Sequence, residues 1–387
     1  MTTAFALDEA QERFCAEVRE QAAQRLLPLA HGDDPALGER VNRPLLEEMG
    51  RLGLLARLFP DGGRSAAALD LCLLRESLAQ VSTEAETALA LQGLGFYPVV
   101  QSGTEAQRAR WLPEVASGRA VAAFALSEPG AGSDAAALAL EAKPEDAGSG
   151  GGWRLSGEKC WISNAPEADL YTVFARTGPG AGARGVSAFL VPADRPGLSG
   201  EPLDMISPHP IGRLVFDGVP VGPEDLLGEV GGGFRVAMRT LDLFRPSVGA
   251  FAVGMAQAAL DATVAHAGAR EAFGGALREL QSVGHRLAEM ATRIEAARLL
   301  VYAAAAAYDR GAEATGLHGP SGRAAMAKLF ATEAAQYVVD SAVQLHGARA
   351  LQRGHLLERL YREVRAPRIY EGASEVQLSI IARELYR

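Results

Sequence analysis

The chain has 387 residues, 48% of them hydrophobic and 22% charged, with 38 Lys and Arg against 47 Asp and Glu and a net charge of −9. At one domain per ~150 residues this predicts two or three domains with ample material for a core. The acidic balance argues against a nucleic-acid partner, but leaves room for an anionic small molecule held by a few local arginines.

The three cysteines, Cys15, Cys72 and Cys160, form no Cys-x-x-Cys pair. So sparse a set makes no disulfide framework and fits a reducing cytoplasm. The first residues lack the basic start and apolar stretch of a signal peptide. No apolar run approaches the ~20 residues that span a bilayer, and the longest, 299–308, ends at Asp309 and Arg310. The expectation is a cytoplasmic protein with no membrane and no nucleic-acid partner.

In chain order, residues 1–120 read as helical. Leu45, Met49, Leu52 and Leu55 recur at helical spacing, and breaks such as Pro60-Asp61-Gly62-Gly63 separate the segments. Residues 121–230 change texture. Short β-like runs at 121–126, 153–155, 159–163, 171–176, 186–191 and 214–221 alternate with turn residues, among them Pro144 and the Gly-rich stretches 148–152 and 178–182. The segment Trp153-Arg154-Leu155-Ser156-Gly157-Glu158-Lys159 reads as a strand, a tight turn and a strand. Residues 231–387 return to helix. Met326, Leu329, Phe330, Tyr337, Val338 and Leu345 fit one broad stripe, and Gly311 and Gly347 stand where long helices should stop. The order helix, strand, helix predicts a mostly α fold with a central β domain, divided as 1–120, 121–230 and 231–387. It argues against a doubly wound fold, where strands and helices alternate.

No G-x-G-x-x-G joins a strand to a helix, no phosphate-binding G-x-x-x-x-G-K-[ST] occurs, and there is no H-E-x-x-H. The seven histidines are scattered, so no metal centre is expected. Ser156-Gly157-Glu158-Lys159 matches the Ser-x-x-Lys of penicillin-binding enzymes. The Ser-Asp-Asn and Lys-Thr-Gly segments which that chemistry requires are missing.

Ala125-Leu126-Ser127-Glu128-Pro129-Gly130-Ala131-Gly132-Ser133-Asp134 leaves a β run for a glycine-rich loop, where small residues let backbone approach a planar or phosphorylated ligand. This segment resembles the Thr-Glu-Pro-x-Ala-Gly-Ser-Asp signature of the acyl-CoA dehydrogenase family, with Ser127 keeping the hydroxyl of the usual Thr. The resemblance implies that Phe124, Leu126, Ser127, Gly132 and Ser133 lie beside a flavin, with Ser133 also facing the CoA side. Further segments follow in the family's order. Trp161-Ile162-Ser163-Asn164 resembles Trp-Ile-Thr-Asn, in which the Trp flanks the flavin and the hydroxyl approaches its ring. Asp242-Leu243-Phe244-Arg245-Pro246 resembles the start of a helix that contacts CoA, which implicates Asp242, Phe244 and Arg245. Arg270, Phe273 and Gln281 match Arg-x-x-Phe-Gly…Gln, which reaches the FAD of a neighbouring subunit. Gln344, Leu345, Gly347 and Ala348 match Gln-x-x-Gly-Gly, which approaches the adenosine part, although Ala348 replaces a common Gly.

The last segment, Ile369-Tyr370-Glu371-Gly372-Ala373-Ser374-Glu375-Val376-Gln377, resembles Ile-Tyr-Glu-Gly-Thr-Ser-x-x-Gln. The implied assignments are Glu371 as catalytic base, Tyr370 and Gly372 toward the substrate, and Ala373 and Glu375 toward the flavin. The last two positions usually carry Thr and Gln. Arg383 matches a CoA-side arginine. Some relatives carry the base on the helix before the CoA arginine; that position is Phe244 here, which cannot take a proton. In Ser207-Pro208-His209-Pro210-Ile211-Gly212-Arg213 relatives often have Arg-x-Ser-Asp-Thr, so His209 marks a departure.

The resemblance implies three domains: an α-helical one, a β-barrel-like one and a four-helix bundle. It further implies FAD as cofactor, an acyl-CoA substrate, a homotetramer, and an electron-transfer flavoprotein as acceptor. The reaction would form a Cα–Cβ double bond. Glu371 removes the α proton, and the flavin accepts the β hydride. The thioester carbonyl accepts hydrogen bonds from a ribityl hydroxyl and the base's own N–H. Burial should raise the pKa of Glu371. The alternatives are an acyl-CoA oxidase, a dehydrogenase of acyl groups tethered to a carrier protein, and a non-catalytic FAD-binding subunit.

Overall fold

The computed structural model describes residues 7–30, 40–60, 66–145, 151–178, 182–207, 209–311 and 319–386. The predicted break at Asp61-Gly62-Gly63 and most of the Gly-rich stretch 148–152 lie outside them, as do residues 179–181. Ten α-helices are described: α1 (Glu9–Gln21), α2 (Arg43–Arg51), α3 (Ala68–Ala79), α4 (Thr83–Ser102), α5 (Glu105–Ala116), α6 (Gly233–Ala269), α7 (Gln281–Asp309), α8 (Pro320–His346), α9 (Leu356–Glu363) and α10 (Ser374–Leu385). The strands are β1 (Ala122–Ala125), β2 (Glu141–Pro144), β3 (Trp153–Ser163), β4 (Leu170–Arg176), β5 (Val186–Pro192), β6 (Leu198–Pro202), β7 (Ile211–Val221), and the short pair β8 (Glu271–Ala272) and β9 (Gly275–Ala276). The chain forms two compact units, one of residues 1–33, 67–86 and 242–387, the other of residues 34–66 and 87–241.

The first unit is helical. Side chains of Asp8 and Gln11 form a reciprocal capping box that starts α1. Asp309, the last residue of α7, accepts the N–H of Ala68 at 2.6 Å and of Leu69 at 3.1 Å, and so caps α3 from a distant part of the chain. Glu76 of α3 takes Arg298 Nε at 2.8 Å and the Tyr302 hydroxyl at 2.9 Å, tying α3 to α7. A Cβ at Gly249 of α6 would lie 2.7 Å from Val301 of α7 and 3.4 Å from Ala331 of α8, so only glycine permits this approach. α6 contains the one described stretch apolar enough to cross a bilayer; 72% of that stretch is buried in protein, as in a core helix.

The stripe read on α8 is corrected by its packing. The buried residues are mostly small: Ala324, Ala325, Ala327, Ala331, Ala334, Ala335 and Ala342, with Val338 and Val339. Met326, Leu329, Tyr337 and Leu345 are half-buried, and Phe330 is exposed. α8 packs on α7, α9 and α10. Where helices approach this closely, small side chains line the contact and bulkier ones are pushed outward. α8 stops at Gly347, which takes φ +64°.

The second unit holds a seven-stranded sheet in the order β1-β4-β2-β3-β7-β6, with β5 on the other side of β4. β1 and β2 run parallel to β4 and the remaining pairings are antiparallel. α4 lies against β1 through Gly95, where a Cβ would sit 2.7 Å from the backbone of Ala122 and Ala123. Gln92 staples the two: its Nε2 donates to Ala120 O at 2.8 Å and its Oε1 accepts from Ala122 N at 2.7 Å. The tight turn expected inside 153–159 is absent. β3 runs unbroken to Ser163, with a register shift against β7 between Leu155 and Gly157, where Gly157 adopts φ +136°. The turn-like residues mark a bulge. Pro144, expected in a turn, ends β2, a strand with only Ala142 buried.

Candidate functional site

In the helical unit, Glu371 and Gly372 take φ +52° and +96°, two successive left-handed residues. For glutamate this costs on the order of 1–2 kcal/mol, so neighbours must hold it there. They do so through the Gly372 carbonyl. Lys328 Nζ, from the middle of α8, donates to it at 2.7 Å, and Gln377 Nε2, from the first turns of α10, donates at 2.8 Å. A Cβ at residue 372 would collide with Gln377 Nε2. The same nitrogen lies 3.4 Å from Glu371 O.

The carboxyl so positioned is half-buried, and its Oε2 is buried with no hydrogen-bond partner. Burial pushes its pKa up; Arg75, Lys328 and Arg245, in that order, pull it back. Lys328 is fully buried, and burial lowers its own pKa to about 8 against the pull of Glu371. Arg75, on α3, is ion-paired with Glu86 of α4 and donates to Ser247 Oγ of α6 at 2.6 Å. Arg245 donates from Nη1 to Asp242 Oδ1 at 2.7 Å, while its Nε is buried without a partner. Glu363 lies buried at the end of α9. Burial raises its pKa to about 7, opposed by a hydrogen bond with Thr83 and by Arg359 and Arg362. The result is a carboxyl whose buried Oε2 is uncommitted, set between burial and three cations.

Tyr370 is half-buried beside Glu371 and Phe244 is buried one residue before Arg245. Arg383 and Glu375 lie exposed on α10, and Ala373 is its N-cap. A second group of predicted residues gathers elsewhere in this unit. His266, near the end of α6, stacks on His346 at 4.0 Å between ring centroids. Arg270 follows His266 by four residues, and Gln344, Leu345, Gly347 and Ala348 flank His346 in sequence. Arg270, Gln281, Gln344, Gly347 and Ala348 are exposed, and Phe273 is 92% exposed with φ +54°. Lys328 and His346 are eighteen positions apart on α8, roughly 27 Å at ~1.5 Å per residue. This group is therefore not part of the Glu371 cluster.

In the sheet unit the first loop follows β1. Glu128 is buried and accepts Ala139 N at 2.6 Å, Leu140 N at 2.9 Å and Lys159 Nζ at 2.8 Å. Lys159 also donates to Leu126 O at 2.9 Å, and burial lowers its pKa to about 8. Lys159 thus builds the loop and is spent on it. Cys160 N donates to Ser127 O at 3.0 Å, which sets Ser127 alongside β3. Phe124 rests on Phe174, with ring centroids 4.9 Å apart, and Leu126 and Ile162 are buried. Ser127 and Ser163 are half-buried, and Ser133 is exposed. Trp161 stays 46% exposed and takes φ +58°. A Cβ at Gly130 or Gly132 would meet nothing within 4 Å. An exposed indole, the hydroxyls of Ser127, Ser133 and Ser163, and open space at Gly130 and Gly132 suit a flat aromatic ligand.

Sequence reasoning missed Lys328, Arg75, Glu86, Ser247 and Glu363, and quoted Gln377 without a role. The available signal was a charge inside an apolar helical run, as in Leu73-Leu74-Arg75 and Met326-Ala327-Lys328-Leu329. Such a charge is rarely buried without a partner.

Three family profiles match the chain: the acyl-CoA dehydrogenase N-terminal domain at residues 8–119, the middle domain at 123–219 and the C-terminal domain at 231–386. A probable acyl-CoA dehydrogenase of Mycobacterium leprae is 37% identical over 388 residues, covering 99% of this chain and 97% of that protein. Butyryl-CoA dehydrogenase from Megasphaera elsdenii superimposes with a TM-score of 0.89 at 33% identity, over 99% of this chain and 100% of that one. PigA with FAD and proline superimposes with a TM-score of 0.89 at 28% identity, over 99% of each chain. With three matched domains in order and a relative aligned end to end, the chain belongs to the acyl-CoA dehydrogenase family, has its three-domain fold and is an enzyme of that family.

Proposed function

We propose that the protein is an FAD-dependent dehydrogenase that introduces a Cα–Cβ double bond into an acyl-CoA thioester, with Glu371 removing the α proton. The observation that carries this reading is the Glu371 carboxyl, whose buried Oε2 has no partner and whose backbone is held at φ +52°. A general base works best with a pKa near the working pH. Burial raises that of Glu371, and Arg75, Lys328 and Arg245 keep the rise in check.

The residues present fit FAD. Trp161 offers an exposed indole, Ser127, Ser133 and Ser163 offer hydroxyls, Gly130 and Gly132 leave room, and Arg270 offers a cation suited to a pyrophosphate. When bound, FAD supplies the acceptor for the β hydride. The chain's own work is to bind, orient and deprotonate. Phe244 is buried and cannot take a proton, which supports Glu371 over that position as the base. Arg245, with Nε uncommitted, is suited to the CoA side. The exposed group around Arg270 and Phe273 suits a contact with a second copy, in keeping with a homotetramer. An electron-transfer flavoprotein as acceptor and a cytoplasmic location complete the reading.

The test is a panel of acyl-CoA thioesters of graded length and branching, assayed with an artificial electron acceptor. Turnover should appear with free CoA thioesters, and Glu371→Gln should lower kcat by more than a thousandfold, as loss of general-base catalysis and its oriented carboxylate implies. Normal turnover by Glu371→Gln would sink the assignment of the base.

A further inference from the structure

We propose that His209 is a positioning residue, which sets the direction of the Ser163 hydroxyl on the cofactor side of β3. The proposal rests on the reading that Ser163 lies against the flavin. Its geometric basis is a contact of 3.1 Å between Ser163 Oγ and His209 Nε2.

Both partners stand on fixed backbone. Ser163 is the last residue of β3 and pairs with Ile211 of β7. Asn164 N donates to Pro210 O at 2.8 Å, and Leu203 N donates to Ile211 O at 2.9 Å. Gly212 lies so close that a Cβ there would be 2.5 Å from Ala165 O. On the β3 side, Asn164 takes φ +65° and its Nδ2 donates to Ala122 O at 2.9 Å. His209 thus stands one residue from the backbone bond between Pro210 and Asn164, the neighbour of Ser163.

Burial keeps the imidazole neutral, with its pKa lowered to about 4. A neutral ring has one N–H and one lone pair, so its contact with a hydroxyl runs in one direction. If Nε2 carries the proton, it donates to Ser163, whose own hydrogen is then free to point at a ligand. If Nε2 carries the lone pair, Ser163 donates to it and offers a ligand only lone pairs. In either tautomer His209 decides what Ser163 presents. A hydroxyl without such a neighbour rotates to suit either redox state of a bound ring, so removing His209 should change the balance between those states.

The experiment compares the holoenzyme with His209→Phe, His209→Gln, Ser163→Ala and the His209→Phe/Ser163→Ala double variant. Flavin content is read from the visible spectrum, and the ratio of oxidised to reduced flavin is read against a reference dye at a fixed dye ratio. His209→Phe should shift that ratio about fivefold, the worth of one neutral hydrogen bond, and the sign of the shift reports which nitrogen carries the proton. His209→Gln, whose side-chain amide can turn either an N–H or its oxygen toward Ser163, should stay within about twofold of the wild type. In the Ser163→Ala background the His209→Phe shift should vanish. A shift that persists without the Ser163 hydroxyl, or no shift in flavin-loaded His209→Phe, overturns the proposal. A wild-type chain purified without flavin overturns the underlying reading and this inference with it, a result distinguishable from the others by its spectrum alone.

Discussion

Replacing Lys328 with Met tests how the proposed base, Glu371, is tuned. Methionine keeps the unbranched stem in a fully buried position and removes the ammonium. The Gly372 carbonyl loses its 2.7 Å donor but keeps Gln377 Nε2 at 2.8 Å, so it is not left bare. A hydrogen bond from a charged donor contributes about 1.5–3 kcal/mol. The burial that lowers Lys328 to about pKa 8 is a cost that the substitution relieves. The two effects oppose each other, and folding stability should change by no more than about 1 kcal/mol. The electrostatic consequence is one-sided. Glu371 loses one of the three cations that pull its pKa down, while the burial that raises it remains. One nearby charge moves a carboxyl by about one unit or more, or ~1.4 kcal/mol. With Glu371 as the proposed base, only its ionised carboxylate accepts the α proton, so activity should fall as pH drops through its pKa. A higher pKa therefore moves that acid limb to higher pH. On the limb, kcat/KM should fall about tenfold. The two carboxyl and ammonium titrations are coupled, so the wild-type profile should carry a further inflection near pH 8, from Lys328 itself, which the variant lacks. The assay is kcat/KM against pH with one acyl-CoA and an artificial acceptor, alongside Lys328→Arg, which keeps the charge and should keep the limb. An acid limb that stays put, or a loss that is uniform at every pH, would refute the electrostatic account.

Three other outcomes follow from the same geometry. Glu363 is held at about pKa 7 by burial against 4.5 in a free chain, so the folded form holds its proton more tightly. The associated stability is complete below about pH 4.5 and is lost as pH rises through about 7, on the order of 3 kcal/mol in all; Glu363→Gln should flatten the dependence of Tm on pH across that window, and an unchanged dependence would count against it. Glu128→Ala strands the buried Lys159 ammonium and two backbone N–H groups, and should cost about 3–5 kcal/mol in denaturant unfolding, with Lys159→Met in the same background recovering part of the loss. Phe273→Ala removes a ring that is 92% exposed, so it should leave unfolding within about 0.5 kcal/mol while reducing flavin retention or the assembly size seen by light scattering; wild-type values for both would remove Phe273 from the contact.

Unusual backbone and motif resemblance coincide in this chain. Four described non-glycine residues have positive φ: Trp161, Asn164, Phe273 and Glu371. Three of them are residues that motif resemblance had singled out as functional, and the fourth adjoins Ser163. Strained residues persist where surrounding structure overdetermines them, and the short, glycine-flanked segments that satisfy this demand are legible as motifs. The supporting residues are not legible in the same way. Lys328, Arg75 and Glu363 look like ordinary solvated charges, because nothing in a helical run reveals which of its faces is covered. α8 shows why. Its large residues define an apparent stripe, yet its covered side is made of alanines with Lys328 among them. Hydrophobic size reports what a side chain could bury; close helix packing selects against that size. The charge that steadies Glu371 therefore sits on the face that reads as featureless, and the same small residues that hide it in the sequence let it reach the Gly372 carbonyl in the fold.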